Sequence, residues 1–250
     1  YFDWLGAAIQ GDFGESIRLQ QPVSTVIGDR LGITVTLILL AFLIAAVTAI
    51  PLGILSAANE GKMSDSLSNA ISLFGLSAPS FAIAILLLYV FAMLVPIFPV
   101  YGGGSGGLDT LWHLVLPAIA LAAGIGAILM RLTRAAVLRE LQGDAVTFAR
   151  ARGLSASVTR TLALRSALIP ITTGAGLVLT FIIGSTIIVE TVFSLPGLGS
   201  LLQQAVFFKD LPVVQALTLL IAAAIAVITI LVDLSYLILD PRVRAKELGS

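Results

Sequence analysis

Five stretches of this chain, residues 33–55, 67–98, 114–130, 168–189 and 213–239, are dominated by apolar residues, and the only charge in any of them is Asp233. An apolar run of about 20 residues is long enough to cross the hydrocarbon core as a helix. Within a bilayer, only helices and closed barrels satisfy their own backbone. The apolar–polar alternation of a membrane barrel is absent from these runs, so the expected class is an all-α polytopic membrane protein, a bundle of five transmembrane helices. Composition agrees. Only 11% of residues are charged, against about 25% in a soluble domain. The second run is overlong and holds Pro79 after Gly75, which predicts a kink or break there.

Charge placement predicts an orientation. Eleven of the fourteen basic residues fall near Lys62, between Arg131 and Arg165, or in the tail with Arg242, Arg244 and Lys246. Arg18, Arg30 and Lys209 fall on the other side. Lys and Arg concentrate in cytoplasmic loops, so the long basic segment and the C-terminus are expected in the cytoplasm. Residues 1–32 then form an external or interfacial segment and 33–239 the membrane domain, with a cytoplasmic loop at 140–167. Residues 240–250 form a cytoplasmic tail. Tyr1 is left outside, so a further span is expected before it. Near that end Tyr1, Phe2, Trp4, Leu5 and Ile9 suit the headgroup level, and Ser24 after Pro22 is expected to cap a helix leading into the first run.

Several chemistries are excluded. The chain has no cysteine and one histidine, His113, which removes disulfides, thiol catalysis and multi-histidine metal sites. Its formal net charge of zero offers no overall attraction to nucleic acid. Tyr101 and the glycines that follow it lack the Lys-Ser/Thr ending of a phosphate cradle, so the segment reads as a flexible external connector. His113, beside Trp112, reads as a hydrogen-bonded interfacial residue. Glu190 and Asp233 could mark an ion path; local pairing or anchoring is the favoured reading, with Arg242 near Asp233.

The basic segment is the remaining candidate. Arg131, Arg134, Arg139, Arg150, Arg152, Arg160 and Arg165 face only Glu140 and Asp144. Ala145, Ala149 and Gly153 step by four, so a helix would place them on one face, where small residues permit close approach. Gly153 suits a helix C-cap. Ser155 can cap a second short helix, on which Val158 and Leu162 share a face while Arg160 and Arg165 lie off it. Ala145, Ala149, Arg150, Arg152, Gly153, Ser155, Ser157, Val158 and Arg160 are thus the candidate docking residues. A protein groove is the favoured partner; anionic lipid at the membrane surface is the alternative.

The run Asp144-Ala145-Val146-Thr147-Phe148-Ala149-Arg150-Ala151-Arg152-Gly153-Leu154-Ser155, continuing to Leu164-Arg165-Ser166-Ala167-Leu168-Ile169-Pro170, resembles the coupling loop of ABC importer permeases. It is most similar to the peptide and nickel branch. Gly11-Asp12-Phe13-Gly14-Glu15-Ser16, Pro51-Leu52-Gly53, Leu76-Ser77-Ala78-Pro79-Ser80-Phe81 and residues 189–199, from Val189-Glu190-Thr191 to Gly197-Leu198-Gly199, resemble the same branch, as does Leu239-Asp240-Pro241-Arg242. Where the superfamily motif begins Glu-Ala-Ala, this chain has Thr147-Phe148-Ala149. The resemblance implies a permease of a dipeptide or oligopeptide importer, with no enzymatic activity of its own. It also implies a second, homologous permease, two cytoplasmic ATPase subunits that bind ATP and Mg, and an external solute-binding protein in a bacterial inner membrane. The contrasting class is an ion-coupled secondary transporter or channel.

Overall fold

The computed structural model describes residues 6–8 and 10–239. The expectations for Tyr1, Phe2, Trp4, Leu5, Ile9 and the 240–250 tail, including Arg242, lie outside the described residues. The elements are α1 (Val23–Ala58), α2 (Met63–Ser77), α3 (Ser80–Leu88) continued by a π-helical turn (Tyr89–Leu94), α4 (Gly107–Leu141), α5 (Asp144–Ala151), α6 (Ala156–Val192), α7 (Leu198–Phe207) and α8 (Leu211–Leu239). Four of these helices are long and apolar enough to cross a membrane, and there are five spans if α2 with the α3–π segment counts as one bent span. The expected count of five therefore depends on the broken pair.

Local chemistry explains the boundaries. Helix α1 leads into the first apolar run as expected but begins at Val23, because the Pro22 carbonyl already accepts the amides of Thr25 and Val26. Ser24 therefore lies inside the first turn and is not its cap. The expected break falls at Ala78-Pro79: Ala78 is extended at φ −88°, ψ 119°, the conformation a following proline imposes. Pro51, Pro117 and Pro170 instead lie inside continuous helices. The expected short helix after Gly153 and the fourth apolar run are one 37-residue helix, α6.

The chain divides into two compact units. The first comprises the described residues up to Phe42, with Pro79–Leu121 and Ile182–Ala226. Its core packs Val23, Val26 and Ile27 of α1 against Leu198, Leu201 and Ala205 of α7 and Val213, Ala216 and Leu217 of α8. Inside a bilayer such a core gains from close packing, and where it meets water it also removes apolar surface from solvent. Glu190 is fully buried here. It accepts the Thr34 hydroxyl at 2.6 Å and the Ser200 amide at 2.9 Å, while Thr34 Oγ1 accepts the Leu198 amide at 2.7 Å. Gly197 lies so close to this carboxylate that a side chain would collide with it. Local pairing is therefore the role the structure gives Glu190.

Asp210 ties a second loop in the same unit. It accepts the Ser16 hydroxyl and the amides of Ile17 and Arg18. Burial pushes its carboxyl pKa up, but these hydrogen bonds outweigh burial and hold it below the usual value. His113 Nδ1 donates to the Asp109 carbonyl at 2.8 Å, and Trp112 stacks on Phe98. The glycine-rich connector is tied at its far end, where the Ser105 amide and hydroxyl reach Asp109 Oδ2 at 2.6 and 3.0 Å.

The second unit comprises Leu43–Ala78, Ala122–Phe181 and the described residues from Val227. Ala57, Ala136, Val137, Ala167 and Ile171 form its core. Glycines let its helices meet closely. A Cβ at Gly53 would stand 2.7 Å from the Met130 carbonyl and from Thr133 Cβ, and one at Gly75 would stand 3.0 Å from the Ala123 carbonyl. Gly176 meets Val232, and nearby Thr173 Oγ1 and Tyr236 Oη lie 2.8 Å apart. Asp233 is exposed on α8.

Candidate functional site

The basic elbow lies within the second unit and is built from the end of α4, all of α5 and the first turns of α6. Gly143 is extended at φ −72°, ψ 161°, and its carbonyl accepts the Thr147 amide at 3.1 Å. Asp144 in the first turn of α5 complements the positive end of the helix. At the other end Gly153 has φ +76°. The Gly153 amide bonds the Arg150 carbonyl at 2.9 Å and the Leu154 amide bonds the Ala149 carbonyl at 3.1 Å. That pair of bonds is a Schellman closure, and it makes a compact corner. The position beside the Gly153 Cα is open, with nothing within 4 Å; backbone conformation alone selects glycine there.

The expected stripe of small residues is not the presented face. Helix α5 ends at Ala151, so Gly153 lies beyond it. Ala149 is buried with Val146, three positions away, as the inward side of the helix, while Ala145 is exposed. The outward apolar groups are Phe148, 70% exposed, with Leu154 and Val158 about half exposed. Arg150, Arg152, Ser155, Ser157 and Arg160 are also exposed. Ser155 precedes α6 as expected, although its hydroxyl pairs with that of Ser157 at 3.0 Å. Val158 and Leu162, one turn apart, are both exposed.

Not every arginine of the segment is available for docking. The Arg134 guanidinium forks onto Asp65, with Nε to Oδ1 at 2.8 Å and Nη2 to Oδ2 at 2.9 Å. Asp65 also accepts from Ser56 at 2.6 Å, Gly61 at 3.1 Å and Asn69 at 3.1 Å. This clamp joins the end of α1, the start of α2 and α4. Sequence reasoning missed Asp65, Phe148 and Leu154. The signal for the clamp was a polar stripe: Asp65, Ser68 and Ser72, spaced by three and four, are the buried residues of α2. Among the described residues no group of acidic or histidine side chains could hold a metal ion.

A helical membrane bundle with a rigid, basic, capped corner between two of its spans is the class this geometry defines. Comparison with known proteins gives the family. The profile described as "Binding-protein-dependent transport system inner membrane component" matches residues 49–245, and the chain belongs to that family, the permeases of ABC importers. A Brucella ovis protein named as a peptide permease is 37% identical, aligned over 98% of this chain and 79% of its own length. The glutathione transport system permease protein GsiC of Escherichia coli K12 is 35% identical over the same shares. In fold, the chain resembles the inward-facing MetNI methionine ABC transporter, with a TM-score of 0.69 at 16% identity, covering 86% of this chain and 96% of that one. It is accordingly a multi-pass membrane transport subunit.

Proposed function

We propose that this permease forms half of an ATP-driven import pathway for peptides or related small solutes. The names of the relatives, a peptide permease and a glutathione permease, support that solute class. A second, homologous permease would complete the pathway, and an external solute-binding protein would deliver cargo. Two ATPase subunits would bind ATP and Mg, this chain having no nucleotide site of its own. The elbow and the C-terminus would lie in the cytoplasm and residues 1–32 outside, following the distribution of Lys and Arg.

Residues 144–165 would couple the chain to one ATPase. The observation that carries this is the exposed trio Phe148, Leu154 and Val158 on a glycine-closed corner, flanked by Arg152 and Ser157. An exposed aromatic beside an arginine is the kind of anchor that fills a partner's pocket. ATP-driven closure of the ATPases would move α5 and bias the spans between two states. Because the chain has no cysteine, Phe148→Cys or Ser157→Cys introduces a unique thiol. Crosslinking in membranes should trap the ATPase subunit, and trapping lipid alone would refute the docking role. Uptake should stop when ATP is depleted with ion gradients intact; continued uptake would favour an ion-coupled carrier.

A further inference from the structure

A narrow crevice of about 90 Å³ lies wholly within the first unit, between α1, α6 and α8. Val35 and Ile38 of α1, Ile183 and Ile187 of α6, and Leu220 and Ile221 of α8 line it. All six belong to the apolar runs 33–55, 168–189 and 213–239, so the crevice lies at the depth of the hydrocarbon. Its outer end is marked by Leu31, two residues before the first run, and by Leu198 and Gly199 where α7 begins. Leu31 and Val35 are exposed, so this chain leaves the mouth of the crevice uncovered.

The lining limits what enters. Both hydroxyls in the wall are committed: Thr34 Oγ1 donates to Glu190 and accepts the Leu198 amide, and Thr186 Oγ1 donates to the Ile183 carbonyl. Neither is left for water or for the backbone of a peptide, which would be buried unpaired at a cost. A space of this size would hold several waters by volume, but an apolar cavity stays dry and accepts an apolar guest. A helix is about 10 Å across and does not fit; a single extended hydrocarbon chain does. A cation stands at the outer end. Arg30, one turn before Thr34 on α1, is the last charged residue ahead of the first run, about 4.5 Å outside it along the helix axis. Its side chain forms no ion pair among the described residues.

We propose that the crevice seats one acyl chain of a membrane phospholipid whose phosphate meets Arg30. A guanidinium group matches phosphate oxygens in bidentate geometry, and the chain gives the apolar walls the contacts that a void would deny them. Head and chain join where the apolar run gives way to charge. Thr34 and Leu198 line the crevice and also belong to the hydrogen-bonded cluster around Glu190, so a bound chain would buttress that cluster. The choice of the outer leaflet rests on the orientation proposed above; the site itself does not depend on the import role.

Native mass spectrometry of the intact, delipidated transporter complex, titrated separately with dioctanoyl phosphatidylglycerol, dioctanoylglycerol and glycerol 3-phosphate, tests this. The parent complex should bind a phosphatidylglycerol that the Ala224→Phe complex does not, because Ala224 lines the crevice and the larger side chain fills it. Ala223→Phe, at the exposed neighbouring position, should bind as the parent does. Arg30→Gln should weaken phosphatidylglycerol binding about fivefold, the effect of one cation beside an anionic headgroup. Dioctanoylglycerol, lacking the phosphate, should bind as weakly and ignore Arg30→Gln, and glycerol 3-phosphate should not bind. Arg30→Gln removes no packing and decides the matter should Ala224→Phe fail to assemble. Unaltered phosphatidylglycerol binding in either variant would overturn the proposal, as would glycerol 3-phosphate bound as tightly as the lipid. If Ala224→Phe keeps the lipid but sheds the second permease, the crevice belongs to the contact between subunits, and the inference fails while the import role stands.

Discussion

Replacing Glu190 with glutamine changes the shape of the side chain little and should still destabilise the protein. Both carboxylate oxygens are acceptors, one for the Thr34 hydroxyl at 2.6 Å and one for the Ser200 amide at 2.9 Å. A carboxamide has one acceptor oxygen and one donor nitrogen. If the nitrogen faces Ser200, two N–H donors confront each other. If it faces Thr34, the carboxamide N–H can donate to the second lone pair of Thr34 Oγ1, but the Thr34 hydroxyl proton loses its acceptor. Either orientation strands one polar group in a fully buried site, at a cost of about 1–3 kcal/mol. For a chain of this size that corresponds to a fall in Tm of about 2–12 °C. Glu190→Ala removes both acceptors and opens a cavity, so its effect should be larger still. Thermal unfolding of the detergent-purified protein, followed by tryptophan fluorescence, measures the change, with Asp233→Asn on an exposed position as the neutral control. A Glu190→Gln protein melting within about 1 °C of the parent would refute the argument that both oxygens are needed.

Gly153→Ala, forced into φ +76°, should cost about 1 kcal/mol and reduce uptake per ATP hydrolysed, and Gly153→Val more so, with membrane insertion unchanged; unaltered coupling in both variants would count against a fixed corner. At Gly53 an alanine would drive α1 off α4, since its Cβ would meet backbone 2.7 Å away, whereas Gly124→Ala meets nothing within 4 Å and should be neutral or stabilising; yields of folded protein compare the two. Asp210 should make the 16–18 loop acid-sensitive. Its folded pKa lies below the ordinary 3.8, so its stabilisation is complete above that value and is lost as pH falls through the lower, folded value. Protection of the Ile17 and Arg18 amides in hydrogen exchange should follow this course and become weak and pH-independent in Asp210→Asn. Finally, Arg134→Lys should fail to restore what Arg134→Ala loses in thermal stability, because one ammonium group cannot reproduce the two-pronged contact with Asp65.

Patterns that are one-dimensional were legible in the sequence. Apolar runs long enough for a bilayer gave the helical class, and Pro79 marked the broken span, because proline acts on its own neighbours. Gly153 could be read as a helix terminator for the same reason. Boundaries set by tertiary packing were harder to see. The short helix after Gly153 and the fourth apolar run looked separate, yet α6 joins them and runs through Pro170. The presented face of α5 was misjudged because spacing shows which residues share a side but not which side is covered: Ala149 faces inward and Phe148 outward. Counting arginines overstated the charge offered for docking, since Arg134 is held by Asp65, 69 positions away in the chain. A glycine in an apolar run does not by itself mark a helix contact: Gly75 and Gly176 meet neighbours, whereas Gly124 and Gly184 face open space.

The closure at Gly153 has a mechanical consequence inside the second unit. Because the Gly153 and Leu154 amides both bond back onto α5, the eight-residue helix and the start of α6 swivel against each other only by giving up both bonds. A pull on α5 would therefore carry Ser157 along with it, the corner travelling as one piece.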